Sequence, residues 1–264
     1  MSTRLHIFGT CSGTEPMPFR HHCSFAVEHN DRLYWFDAGE CCSYTAYLMG
    51  VDPRNIDSIF ISHPHMDHVG GFANLMTVIR KLDSRYGGME GKRLRLFMPV
   101  PTLWPAVREL LSQTDGEFRT RFEINEYPVT EDVLLDENGI SIEAMHNLHL
   151  PQRSDGAWRS FSFRITVGGK VIVFSGDVKN YAEIEPLLRG ADVILAETGH
   201  HRPIKVCREL NEIGIRPETL LFIHHGRAIL EEGEAAIDEA REIYNGCMRV
   251  LSDGETIALE ELVQ

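Results

Sequence analysis

The chain has 264 residues, 43% hydrophobic and 25% charged, with 22 Gly and 12 Pro scattered along it. That composition excludes a disordered, collagenous or coiled-coil chain, and the length allows one large domain or two small ones with a sizeable core. A formal net charge of −13 argues against a general nucleic-acid or membrane-surface coat but leaves room for a metal-lined site, and the count that stands out is 13 His.

In chain order, strands are predicted over 5–10, 25–29 and 32–36, the last two joined by a tight Asn30-Asp31 turn. A helical pattern at 43–49 precedes a β-branched strand at 56–62, which runs into a polar, His-rich loop. Helical spacing returns at 71–82 and stops near Gly87-Gly88. Further strands are expected at 94–98, 140–148, 160–167 and 170–175, and helices at 102–111, 182–189, 205–212 and 231–244. Late strands at 193–197, 220–223, 249–251 and 256–259 complete an α/β pattern, read as one domain over 1–264 with two sheets. The opening apolar stretch is too short for a secretory signal, and no run approaches the ~20 apolar residues of a membrane span. The six cysteines have no C-x-x-C spacing, which fits reduced thiols and a cytoplasmic location.

Several predicted strands end in metal-capable residues: Ser62-His63, Leu148-His149, Gly176-Asp177 and Ile223-His224. Strand ends on one edge of a sheet can bring such residues together on rigid supports. The densest signal is His63-Pro64-His65-Met66-Asp67-His68, four ligand-type side chains within six residues. Neutral imidazole and carboxylate suit zinc, iron or manganese.

This hexad resembles the signature of the metallo-β-lactamase fold. The segment Phe8-Gly9-Thr10-Cys11-Ser12-Gly13 with Pro16, Arg20 before Cys23-Ser24, and Phe36-Asp37-Ala38-Gly39-Glu40 resembles the ribonuclease Z-like branch of that superfamily. The resemblance implies a four-layer αβ/βα sandwich with a dinuclear metal site. On it, one metal takes His63, His65 and His149, the other takes Asp67, His68 and His224, and Asp177 bridges. His146 competes with His149 for its role. His224 is preferred to His225 because it directly follows the apolar run. Two divalent ions, zinc foremost with manganese or iron as alternatives, would then activate a bridging hydroxide. Such a positively charged pocket suits the anionic group of a phosphodiester in a small or nucleotide-like substrate. Asp37 is expected to orient a ligand histidine.

Glu197 falls where the resembled branch carries an acidic residue after a strand, which that branch pairs with a histidine that protonates the leaving group. The branch's downstream histidine motif is absent here, so His200 is the candidate general acid in its place, beside Asp67 as a catalytic carboxylate. Arg20 and Arg227 are candidate substrate contacts. No basic, Gly-Pro-rich insert corresponding to a tRNA-gripping arm is present, which together with the charge disfavours a long nucleic acid as substrate. A homodimer is common in the resembled branch. Competing functions are an ester, thioester or lactone hydrolase, a mononuclear iron sulfur dioxygenase, and a catalytically silent scaffold.

Overall fold

The structure, a computed structural model, describes residues 3–114 and 117–262; residues 1, 2, 115, 116, 263 and 264 of the expected domain span lie outside it. Fourteen strands and nine α-helices are described. The first part comprises β1 (Arg4–Gly9), β2 (Ser24–His29), β3 (Arg32–Phe36), α1 (Cys42–Leu48), β4 (Ile56–Phe60), α2 (Met66–Val69) and α3 (Phe72–Tyr86). Next come β5 (Arg93–Met98), α4 (Leu103–Ser112), β6 (Glu123–Pro128), β7 (Asp132–Glu137), β8 (Ile140–His146), β9 (Phe161–Val167) and β10 (Lys170–Phe174). The chain continues through α5 (Glu185–Leu188), β11 (Val193–Thr198), α6 (Pro203–Glu212), β12 (Thr219–His225), α7 (Arg227–Glu232) and α8 (Asp238–Arg241). It finishes with β13 (Cys247–Val250), β14 (Thr256–Ala258) and α9 (Leu259–Leu262).

Two seven-stranded mixed sheets form, ordered β14-β1-β2-β3-β4-β5-β6 and β13-β12-β11-β10-β9-β8-β7. Strands β3 to β6 are parallel, as are β10 to β13. The β2–β3 hairpin turns through Asn30 and Asp31, both at positive φ (52° and 59°), the backbone that matches strand twist. Strand β8 alternates buried and half-buried residues, whereas β11 and β12 are buried throughout, as parallel strands covered on both faces must be.

Three apolar clusters define the layers. The central one packs the sheets face to face: Phe25 meets Phe174 edge-on at 5.0 Å, and Phe36 meets Phe163 at 5.5 Å. Each fully buried ring of this kind contributes roughly 1.5–3 kcal/mol. A second cluster seats α1, α3 and α4 on the outer face of the first sheet, α3 through Phe72, Leu75, Met76 and Ile79 on one stripe. The third seats α5, α6 and α8 on the second sheet. This is the expected four-layer sandwich.

Some expectations are corrected. Strands β6 and β7 were not anticipated: each lies at the edge of its sheet with mostly exposed side chains, so neither carries strong alternation. The helix expected over 231–244 is broken into α7, a 3₁₀ turn and α8, with Gly233 at φ +60° at the break. The helix expected over 182–189 is a 3₁₀ turn (Tyr181–Ile184) followed by the short α5, with a proline in its first turn. The hexad is not all loop, because Met66 to Val69 form α2.

At one end of the sandwich the sheets are stitched together. The Ser12 N–H donates to the His225 carbonyl (3.1 Å), and the His225 N–H donates to that of Thr10 (2.6 Å). The Phe161 N–H donates to the Ser62 carbonyl (3.0 Å). This is the end at which β4, β10, β11 and β12 deliver their C-terminal residues.

Candidate metal centre

Strand β4 ends at Phe60 and hands the chain to Ser62, His63 and the hexad. Helix α2, starting at Met66, turns Asp67 and His68 inward, while His65 sits at its N-terminal boundary and stays exposed. From the second sheet come His149 after β8, Asp177 after β10, and His224 within β12.

His224 reaches the centre through a backbone irregularity. The β11–β12 register pairs Glu197 with Ile223 and Thr198 with His225, leaving His224 unpaired between them at φ +52°. Such a bulge re-aims a side chain. Gly199 completes the fit, since a Cβ there would lie 2.6 Å from His224 Nδ1.

Two groups dominate the centre: His63, His65, His149 and Asp177 present ligand atoms within 4.8 Å of one another, and so do Asp67, His68 and His224; Asp177, His200 and His224 form a further such group across them. Asp177 faces the first two with different oxygens. Its Oδ2 lies 3.7 Å from His63 Nε2 and 3.6 Å from His149 Nε2. Its Oδ1 lies 3.5 Å from His68 Nε2 and 3.3 Å from His224 Nδ1. Within the groups, His65 Nδ1 and His149 Nε2 are 3.2 Å apart, His68 Nε2 and His224 Nε2 3.1 Å, and His224 Nε2 and Asp67 Oδ2 3.1 Å.

These separations fit divalent cations. Zinc–nitrogen bonds of about 2.0–2.1 Å in tetrahedral geometry put neighbouring ligands about 3.3 Å apart. The buried His63 Nε2, Asp177 Oδ1 and His224 Nδ1 have no hydrogen-bond partner, although burial ordinarily demands one.

The charges point the same way. Burial, reinforced by neighbouring imidazoles, pushes His63 well below its ordinary value. Burial also opposes charge on His68, yet Asp37 and Asp177 hold it well above. His224 rises to about 9, burial being outweighed by Asp177, Asp67 and Glu197. Asp67 is held far below the carboxylate range, because hydrogen bonds from His224 and His68 outweigh its burial. The carboxylates therefore demand positive charge, which imidazoles can supply only by protonating.

Asp37 stands behind the centre. This buried side chain accepts the His68 Nδ1–H (2.7 Å), the Ser62 N–H (2.7 Å) and the Ser62 hydroxyl (2.8 Å). His68 is thereby fixed with Nε2 turned to the site. Cys23 also lies near Asp37 and His68, but burial pushes its thiol well above its ordinary value, so it is a poor ligand.

On the open side, His200 is half-exposed. Its Nδ1 faces Glu197 Oε1 (3.4 Å) and Asp177 Oδ2 (3.8 Å). The fully buried Glu197 also accepts the His200 backbone N–H (2.9 Å) and lies 3.3 Å from His201 Nε2. The hydrogen bond to Glu197, against burial, raises His200.

The alternative ligands go elsewhere. His146 points to Glu131 and stacks on Trp158 with ring centroids 4.0 Å apart. His225 is buried behind the site, its Nε2 donating to the Leu251 carbonyl (2.8 Å), and burial lowers it to about 3. Arg20, a candidate substrate contact, donates to Thr10 Oγ1 (2.7 Å) and to the Leu251 carbonyl (2.8 Å), which brace it within the fold. Arg227 pairs with Glu15 (2.8 Å) at the surface.

A cavity of about 310 Å³ opens over the centre, lined by Ser12, Gly13, Thr14, His65, Asp67, Asp177, Gly199, His200 and His224. A neighbouring one of about 410 Å³ shares Ser12, Thr14, Gly199 and His200 and adds Arg202 and Arg227. The 12–14 wall was not expected from the sequence: these small residues carry no ligand chemistry and earn their place only through the fold.

Two sheets with helices outside and a histidine–carboxylate centre at the strand ends define a metallo-β-lactamase-fold protein. Residues 3–221 match the family model described as anti-Pycsar protein Apyc1, and the chain belongs to that family. The metallo-β-lactamase fold protein YhfI from Bacillus subtilis superposes with a TM-score of 0.77 at 16% identity, covering 98% of this chain and all of that one. Human tRNase Z, short form, gives 0.71 at 17% identity, over 96% and 98%. The curated ribonuclease Z of Pediococcus pentosaceus is 26% identical over 166 residues, 61% of this chain and 48% of that protein, so the match spans about half its length. No described helix is long and apolar enough to cross a membrane.

Proposed function

We propose that the chain is a metal-dependent phosphodiesterase acting on small anionic, nucleotide-like substrates. The observation that carries this is Asp177, whose two oxygens face two separate groups of ligand atoms. His63, His65 and His149 would hold one divalent cation and Asp67, His68 and His224 the other, with Asp177 shared. When bound, such ions neutralise phosphoryl charge and make water acidic enough to attack at neutral pH.

The chain's own residues supply the remainder. Asp37 keeps the His68 Nδ1 protonated, so that Nε2 offers its lone pair. Asp67 lines the cavity floor, where it would orient the attacking water. His200 stands at the mouth with Nδ1 held by Glu197, leaving Nε2 to deliver a proton to the departing oxygen. Arg227 and Arg202 line the adjoining cavity, paired with Glu15 and Glu232, and would exchange those partners for a further anionic part of the substrate.

The relatives' name, ribonuclease Z, supports phosphodiester chemistry, while the net charge of −13 favours a small substrate over a long RNA. The anti-Pycsar role in the family description would be exerted through this hydrolysis. The test is turnover of bis(p-nitrophenyl) phosphate by protein loaded with Zn²⁺ or Mn²⁺, beside ester and thioester substrates. Metal-dependent phosphodiester cleavage lost in Asp67→Ala is expected. Cleavage of esters or thioesters alone would replace the reading with an acyl hydrolase.

A further inference from the structure

Two loops of the second sheet, those after β8 and β10, must hold His149 and Asp177 side by side. A link on the inner side joins them. Buried Asn147 accepts the His149 N–H (3.2 Å) and donates to Ser162 Oγ (3.1 Å), which in turn donates to the carbonyl of Ser175, two residues before Asp177.

On the outer side the link is one carboxylate oxygen. Glu183 Oε1 accepts the N–H of Leu148, next to His149, at 3.0 Å, and the N–H of Lys179, two residues past Asp177, also at 3.0 Å. Glu183 is itself fixed within the 3₁₀ turn Tyr181–Ile184, its N–H donating to the capping Asn180 Oδ1 (3.2 Å). Its Oε2 is buried without a hydrogen-bond partner, so no competing contact explains its place. The chain beyond His149 has no helix or strand until Phe161, and this clamp supplies the order that regular structure does not.

We infer that Glu183 is a positioning residue that clamps the His149 and Asp177 loops together and thereby sets the first cation site. The inference rests on the proposed metal centre. Carboxylates that fix ligands from behind typically account for 10–100-fold in metal affinity.

The test compares wild type, Glu183→Ala and Glu183→Gln, the last keeping one carbonyl oxygen able to accept both N–H groups. Metal-free protein is titrated with Co²⁺ and followed by visible absorption, and amide hydrogen exchange is measured over 147–150 and 178–180 without metal. Glu183→Ala should weaken one of two Co²⁺ equivalents 10–100-fold and speed exchange in both segments, while Glu183→Gln stays within about threefold of wild type in both. Unchanged exchange in Glu183→Ala overturns the clamp, as does equal damage from Gln and Ala. Wild type that takes up no Co²⁺ while Glu183→Ala still exchanges faster would sink the metal reading and leave the clamp standing. Faster exchange with unaltered Co²⁺ binding would overturn the link between clamp and cation site.

Discussion

The Asp37 carboxylate accepts the Nδ1–H of His68 at 2.7 Å, with both side chains fully buried. The same carboxylate holds the Ser62 backbone, so the strand end and the ring orientation are set together. Asp37→Asn can donate where Asp37 accepts, which favours the wrong His68 tautomer. Metal affinity, measured by titration, should fall about 10–100-fold, with a smaller change in thermal stability. Equal affinity in the variant would show that His68 needs no such support.

Asp177 belongs to the first ligand group and turns its other oxygen toward His68 and His224 of the second. Asp177→Asn removes the charge while conserving size, and should disturb both cation sites at once. Phosphodiester turnover is expected to drop at least about 100-fold, and the metal released on dialysis should exceed that from Asp67→Ala.

Gly199 faces His224 with no room for a methyl group. In Gly199→Ala the new Cβ would meet the ring at 2.6 Å and Ser12 Cβ at 3.0 Å. Overpacking of this kind costs about 1–3 kcal/mol, and here the displaced group is a candidate ligand. Denaturant unfolding should report that loss, with turnover reduced further than stability alone explains.

The cysteines should divide by environment. Burial pushes the thiols of Cys42 and Cys207 up to about 12, which leaves roughly one part in ten thousand as thiolate at pH 8. Cys247 is exposed. A disulfide-exchange reagent should label Cys247 first in the native protein and reach Cys42 and Cys207 only on unfolding, as peptide mapping would reveal.

The hexad was legible because its four ligand residues lie within six positions, and the central strands β11 and β12 because full burial leaves unbroken apolar runs. What escaped is what depends on distant partners. His224 and His225 both close an apolar run, and only the extra residue in β12 against β11 decides which ring faces inward. Arg20 has the sequence context of a substrate contact, and its braces on Thr10 and Leu251 come from elsewhere in the chain. Edge strands β6 and β7 bury too little to print a pattern, and nothing near Glu183 in sequence announces that it spans two loops.

The central claim is a pair of cations sharing Asp177, and stoichiometry tests it most directly. Metal-free wild type and Asp177→Asn are titrated with Zn²⁺ and, separately, Mn²⁺, counting tightly bound equivalents per chain. Two equivalents in wild type, with neither site kept at full affinity in Asp177→Asn, is the predicted result. A single equivalent in wild type, bound as tightly in Asp177→Asn, would contradict the account.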